Sequence, residues 1–310
     1  MAYTDREDLN YLGQLYLIGA NQTPFLNMIG GLTGGGKTYP SFNFPIAQPY
    51  TLRAADQSTA VKSEATSISD TTPVTYTRAQ DYNTCQIMKY PYSVSFAKQA
   101  TYGEIAGLAI ANQANTVTDE LAFQRSAALR QMAVDLEYSF LQGSYVAQSL
   151  ASTVAKTRGI IEACATNTTA ASNGALSTTL IKDTILEAWT NGAVFARPVM
   201  FMGGFQKQAL SELYGYAPES INVGGVNIEQ IYTDFATFGV VVDPYMPAGT
   251  ILFADMSVIS PVFCPSEGEI IRDVEVATTT ASRGGFLYAQ VGLDYGPEEY
   301  HATLTGLATS

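Results

Sequence analysis

Thr118-Asp-Glu-Leu-Ala-Phe-Gln-Arg-Ser-Ala-Ala-Leu-Arg-Gln-Met-Ala-Val-Asp-Leu-Glu-Tyr-Ser-Phe-Leu-Gln-Gly143 is the stretch on which the fold turns. From 118 to 141 it holds neither proline nor glycine, it begins on Asp119 and Glu120, and Gly143 closes it. Acids suit the positive end of a helix dipole, and glycine takes the left-handed conformation that stops a helix. The spacing therefore predicts one unbroken helix over about 116–143. Leu121, Ala128, Met132 and Leu136 share a face, flanked by Phe123 and Phe140. At 1.5 Å per residue the stretch from 118 to 141 spans roughly 36 Å.

Upstream of it, Phe42, Phe44 and Ile46 alternate and read as a strand. Residues 51–72 are polar and rich in Ser, Thr and Ala. Alternation then resumes at Val74 and Tyr76, Cys85 and Ile87, and Tyr90, Tyr92, Val94 and Phe96. The change of parity near Lys89 predicts a bulge or short turn there. Residues 40–97 thus read as a two-stranded excursion with a polar tip. Such a hairpin is barely stable alone in water and is expected to lie across a neighbouring subunit. Further upstream, Thr4 and Glu7 form a capping box for a helix over 4–18, with Leu9, Leu12 and Tyr16 on one face. Thr23, Pro24 and Gly30-Gly31 frame a second short helix. With so little core of their own, these two helices must dock on something else.

Downstream, 164–179 is a Thr/Ala/Ser/Asn loop, 180–191 a helix, 198–202 a buried strand, and 205–214 a helix behind Gly203-Gly204. Residues 221–262 read as strands and turns. The tail alternates through Ile270, Arg272, Val274 and Val276, then Leu287, Val291, Leu293 and Tyr295. No internal repeat is present. The class is α+β, one long helix against mostly antiparallel strands.

Composition bounds the function. The chain has 310 residues, of which only 14% are charged, against about 25% in a typical soluble domain. A surface so short of charge is suited to being covered by other chains, and its 19 Tyr and 14 Phe are residue types enriched at interfaces. The net charge of −12, with the basic residues scattered, excludes a protein that grips nucleic acid through clustered Lys and Arg, such as a repressor or polymerase. Cys85, Cys164 and Cys264 are far apart and show no metal spacing, so free thiols in a reducing compartment are expected. The N-terminus lacks an apolar signal core. Asp243, Pro244, Pro247 and Asp255 interrupt the longest apolar region, so no membrane span is expected. Without a secretory route the sequon Asn167-Thr168-Thr169 carries no meaning.

Gly31-Leu-Thr-Gly-Gly-Gly36-Lys37-Thr38 satisfies the P-loop pattern Gly-x4-Gly-Lys-Ser/Thr, and Val240-Val-Val-Asp243 imitates a magnesium-binding strand end. A P-loop works only between a buried strand and a helix whose amides point at phosphate. Here a short helix precedes the motif, and Pro40 and Pro45 forbid a long helix after it. A nucleotide-hydrolysing P-loop enzyme is therefore a remote alternative. Ser95-Phe-Ala-Lys98 matches Ser-x-x-Lys without its companion motifs. His301, the sole histidine, has no nucleophile elbow, so a structural hydrogen bond is its expected role. Glu298-Glu299 and Asp119-Glu120 stand where acids are ordinary. No catalytic, metal-binding or cofactor-binding residues are expected.

Several segments, taken in order, resemble the Hong Kong 97-type (HK97-like) major capsid fold of tailed bacteriophages. Asn21-Gln-Thr-Pro-Phe-Leu-Asn-Met-Ile-Gly30 is similar to the N-arm of one branch. Asn222-Val-Gly-Gly-Val-Asn-Ile, Phe238-Gly-Val-Val-Val-Asp243 and Tyr245-Met-Pro-Ala-Gly249 resemble its axial segment, and Gly296-Pro-Glu-Glu-Tyr-His-Ala-Thr-Leu-Thr-Gly306 its closing strand. The resemblance implies an N-terminal arm (1–44), an extended E-loop hairpin (45–97), a peripheral domain (98–150 and 263–310) holding the spine helix, and an axial domain (151–262). It implies pentamers and hexamers that enclose double-stranded DNA without sequence-specific binding. An encapsulin-like nanocompartment shell is the alternative with the same fold. Arg53, Lys62, Glu64 and Arg78 are expected at contacts between subunits. Because the chain begins at the arm, any scaffolding protein is expected to be separate. Portal and decoration proteins are further expected partners, and the location is the virion, assembled in the host cytoplasm.

Overall fold

The computed structural model describes residues 22–309 apart from 32–35, 48, 58–59, 70–72, 74, 97–119, 215–219, 224–225, 266–267 and 277–280. The helix expected over 4–18, the first residues of the one expected over 116–143, and Val74 lie outside the described residues. The long helix itself, α3, runs Glu120–Gln142, after α1 (Pro24–Met28) and α2 (Glu64–Ser69). Met132, Leu136, Phe140 and Leu141 on it are buried, while Leu121 and Ala128 lie half-buried against the edge of the same core. The apolar stripe thus sinks into the protein chiefly through its C-terminal half.

One sheet is organised by β13 (Ser282–Asp294). Along one edge β13 pairs with β4 (Gln86–Ser95). Along the other it pairs with β12 (Ile271–Val276) and β11 (Ser260–Phe263), all antiparallel. The two-residue β1 (Lys37–Thr38) adds parallel to β11. This corrects the expected excursion, because residues 86–95 belong to a body sheet and not to a free hairpin. The parity change is also misplaced. β4 pairs without a break from Gln86↔Val291 to Ser95↔Ser282, turning Met88, Tyr92 and Val94 inward and leaving Ile87 53% exposed. The irregularity sits at Cys85, where Asn83, Thr84 and Cys85 are buried in succession. There the Cys85 N–H donates to the Phe42 carbonyl, in register with the pairing of 43–45 on 82–84, and from Gln86 on the chain pairs with β13 instead.

A seven-stranded sheet has the order β5 (Thr168–Gly174), β14 (Ala302–Leu307), β10 (Ile251–Asp255), β6 (Pro198–Met202), β9 (Thr237–Val242), β8 (Val226–Tyr232) and β7 (Ser220–Val223). β5/β14 and β6/β9 are parallel and the remaining pairs antiparallel. β5 replaces the loop expected over 164–179. Its small polar residues carry no apolar alternation because it is an edge strand, and Ser172 and Asn173 bend it with φ of 51° and 64°. Strand alternation divides the core in two. Val199, Phe201, Val241, Leu252 and Ala254 face α3 and the first sheet. Met200, Met202, Val240, Ile251 and Phe253 face Ile181 and Ile185 of α5 (Thr178–Thr190) and Leu210 of α6 (Gly204–Tyr214). The short α4 (Ile160–Ala163) contributes Ile160 to the first core.

α1 docks on its own chain. Phe25 and Leu26 are buried there, and the Phe25 ring meets Phe201 edge-on at 5.3 Å. Gly30 and Gly31 end its turn at φ 104° and 66°, as the glycine pair predicts. Thr23, expected to cap the helix, makes no side-chain cap.

Candidate assembly interface

The excursion leaves the body between β2 (Asn43–Pro45) and β3 (Tyr82–Thr84), which pair antiparallel. Phe44 anchors one leg, because its ring occupies the space a Cβ on Gly292 of β13 would need, at 2.7 Å. Asn83, fully buried, anchors the other. Its Nδ2 donates to the carbonyls of Leu293 (2.7 Å) and Arg158 (3.2 Å), and its Oδ1 accepts from the amides of Arg158 (2.8 Å) and Thr84 (2.8 Å). Beside it the Arg158 guanidinium donates to Asp81 (2.9 Å) and to the Tyr295 hydroxyl (3.1 Å), while that hydroxyl donates to Asp81 (2.8 Å). Burial opposes the charge on Arg158, but Tyr295, Asp81 and Glu162 outweigh it and raise its pKa. Burial, reinforced by Asp81, pushes the Tyr295 phenol up as well. The root is therefore a fixed charged knot. The sequence reading missed it; its one signal is Asp81-Tyr-Asn-Thr84, a polar run where a half-buried strand should alternate.

Beyond the root the two legs touch through the amide of Ile46 on Asp81, the amide of Ala79 on Pro49, and the bridge Tyr50↔Arg78. From there outward the described residues are exposed. Leu52 is 64%, Val61 63% and Ile68 82% exposed, and α2 buries nothing. All four predicted contact residues lie here. Arg53 pairs with Asp56 at 2.7 Å, Lys62 precedes α2, Glu64 opens it, and Arg78 stands on the return leg. They are spread along the excursion and not gathered into one cluster.

The chemical motifs resolve differently. Lys37 and Thr38 lie in β1, with the Lys37 ammonium on Asp294 at 2.5 Å and Gly36 against the Phe263 ring. A P-loop lysine opens a helix; this one is in a strand, and Leu32 to Gly35 of the motif lie outside the described residues. His301 is fully buried. Its Nδ1 accepts the Asp255 N–H (3.2 Å), so the proton is on Nε2, which donates to the Tyr295 carbonyl (2.6 Å). Cys85, Cys164 and Cys264 are unpaired, and burial, with Cys264 nearby, pushes the Cys85 thiol up to about 12. No helix among the described residues is long and apolar enough to cross a membrane.

Known proteins place this architecture. No curated protein sequence matches the chain. The capsid of cyanophage A-1(L) superposes with a TM-score of 0.64 at 12% identity, covering 98% of this chain and 99% of that one. The capsid of Myoviridae phage XM1 does so with 0.58 at 14%, covering 99% of each. The SrpI encapsulin of Synechococcus elongatus PCC 7942 gives 0.57 at 11%, covering 89% and 86%. At such identities the likeness is one of fold, the HK97-like capsid fold. The family model of the SU10 major capsid protein, by contrast, matches residues 2–308 by sequence. Because that match takes in the arm, the excursion and both sheets, the chain belongs to the SU10 major capsid protein family and builds the shell of a phage head.

Proposed function

We propose that the chain assembles into pentamers and hexamers that tile an icosahedral shell around double-stranded DNA, with no catalytic activity of its own. The observation that carries this reading is the excursion, which holds Leu52, Val61 and Ile68 in water with no core beneath them. Covering each such side chain stabilises an assembly by about 1.5–3 kcal/mol, and a neighbouring copy of the chain supplies the cover. In this reading residues 1–44 act as an arm and 98–150 with 263–310 as a peripheral domain. Residues 151–262 act as an axial domain. Of the loop over 45–97, the part from 46 to 81 reaches across, since 86–95 pair with β13. Arg53, Lys62, Glu64 and Arg78 contact the neighbour. The enclosed DNA is held without sequence-specific contacts, in keeping with a net charge of −12. A separate scaffolding protein, a portal and decoration proteins complete the head, which assembles in the host cytoplasm.

Deleting residues 55–75 tests the reading. Size-exclusion chromatography and negative-stain electron microscopy should show a soluble body and no shells; normal particles would sink it. The fold likeness to an encapsulin favours a second reading, a nanocompartment with protein cargo. Nuclease-protected DNA inside the particles decides for the head, and protein cargo for the compartment.

A further inference from the structure

Three parts of the chain meet at two carboxyl groups. Glu137, on the buried face of α3, accepts the Phe25 amide on Oε1 and the Leu26 amide on Oε2, each at 2.7 Å. It thereby caps α1 in place of Thr23. Asp243, which follows β9, accepts the Tyr245 amide on Oδ1 at 2.8 Å. Both side chains are fully buried. Asp243 Oδ2 is buried and receives no N–H or O–H from any described donor, and the Asp243 side chain lies within hydrogen-bond reach of the Glu137 carboxyl. Two facing carboxylates would repel in so dry a place, where an uncompensated charge is costly. One proton between them satisfies both.

We propose that Glu137 and Asp243 share a single proton, and that this proton is the clasp holding α1 to α3 and to the turn after β9. Its removal in alkali releases the arm from its own subunit. Among the described residues no cation compensates the pair. Tyr245 from the turn faces the pair and, beyond it, Asp135 of α3, to which the Tyr90 hydroxyl of β4 donates. α1, β6 and β9 carry no charged side chain. Burial, aided by Asp243, raises Glu137 to about 9, with the two amides working against the rise. Burial likewise raises Asp243, eased by Glu137 and the Tyr245 amide. A folded-state pKa raised above the unfolded one gives stability that is complete below about 4.5 and is lost as pH climbs through about 9.

Hydrogen exchange of the full-length chain, corrected for intrinsic rates, tests the clasp. Protection of the Phe25 and Leu26 amides should fall about tenfold between pH 8 and pH 10, because the loss runs at a factor of ten per unit up to the ionisation near 9 and levels off beyond it. Amides of β6 serve as the internal control and should hold. In Asp243→Asn the new amide can donate permanently to Glu137 while its oxygen keeps the Tyr245 bond, so protection should change less than twofold over the same range. Glu137→Gln should flatten the profile as well. Equal alkaline loss in wild type and Asp243→Asn overturns the proposal. A flat wild-type profile overturns it even if neither variant folds.

Discussion

Replacing Asn83 by alanine removes four hydrogen bonds at a position with no access to water. Each such bond contributes about 1 kcal/mol net, and a buried partner left unpaired sits at the upper end of that range. The expected loss is on the order of 4 kcal/mol, a large share of the 5–15 kcal/mol that holds a typical protein folded. At a urea slope of about 3 kcal/mol per molar, the unfolding midpoint of the unassembled chain should drop by about 1.3 M with the slope unchanged. Asn83 is also the point where the return leg of the excursion joins the body, so shells from this variant should be fewer and irregular by electron microscopy. A midpoint shift below about 0.3 M, equivalent to less than about 1 kcal/mol, would show that the network does not fix the root.

Ile68→Asp, at a site 82% exposed on a helix that buries nothing, should leave unfolding of the single chain within about 0.5 kcal/mol of wild type yet strip the yield of shells. Wild-type yields from that variant would contradict a covered role for α2. Burial lowers the pKa of His301, opposed by its bond to Tyr295 and by Asp255. Above its unfolded pKa of about 6.5 the histidine is neutral in both states; below it only the unfolded chain takes the proton, and stability falls with pH. Between pH 6.5 and 5 wild type should therefore lose up to about 1.4 kcal/mol per pH unit more than His301→Gln, read from urea unfolding. Parallel curves would place the imidazole proton elsewhere.

What was legible in the sequence is what local periodicity encodes. The long helix announces itself by a stripe, an acidic start and a closing glycine. β6 announces itself by five consecutive apolar or proline residues, Pro198-Val-Met-Phe-Met202, because both its faces are buried. β5 was illegible because an edge strand of Thr, Ala, Ser and Asn leaves no apolar trace. The parity break was read four residues late because nothing in the chain shows that Cys85 gives its amide to Phe42, across a distance only the fold closes. Glu137 and Asp243 were unreadable for the same reason. A glutamate on an apolar helix face looks like an irregularity until the amides of α1 and a second acid arrive beside it. For the candidate interface, the polar tip was visible in composition, while the knot of Asn83, Arg158, Asp81 and Tyr295 needed three distant segments brought together.

The ladder between β4 and β13 has a mechanical consequence. A pull that a neighbouring subunit exerts on the return leg of the excursion reaches the body through β3 and then along the axis of β4. The hydrogen bonds of an antiparallel pair lie across the strands, so tension along β4 loads all ten of its paired positions at once and does not peel them one by one. The same β13 is gripped along its other edge by β12 and β11, so it cannot slide to relieve the load. The excursion is thus moored in shear, the geometry in which a short sheet bears the most force before it yields.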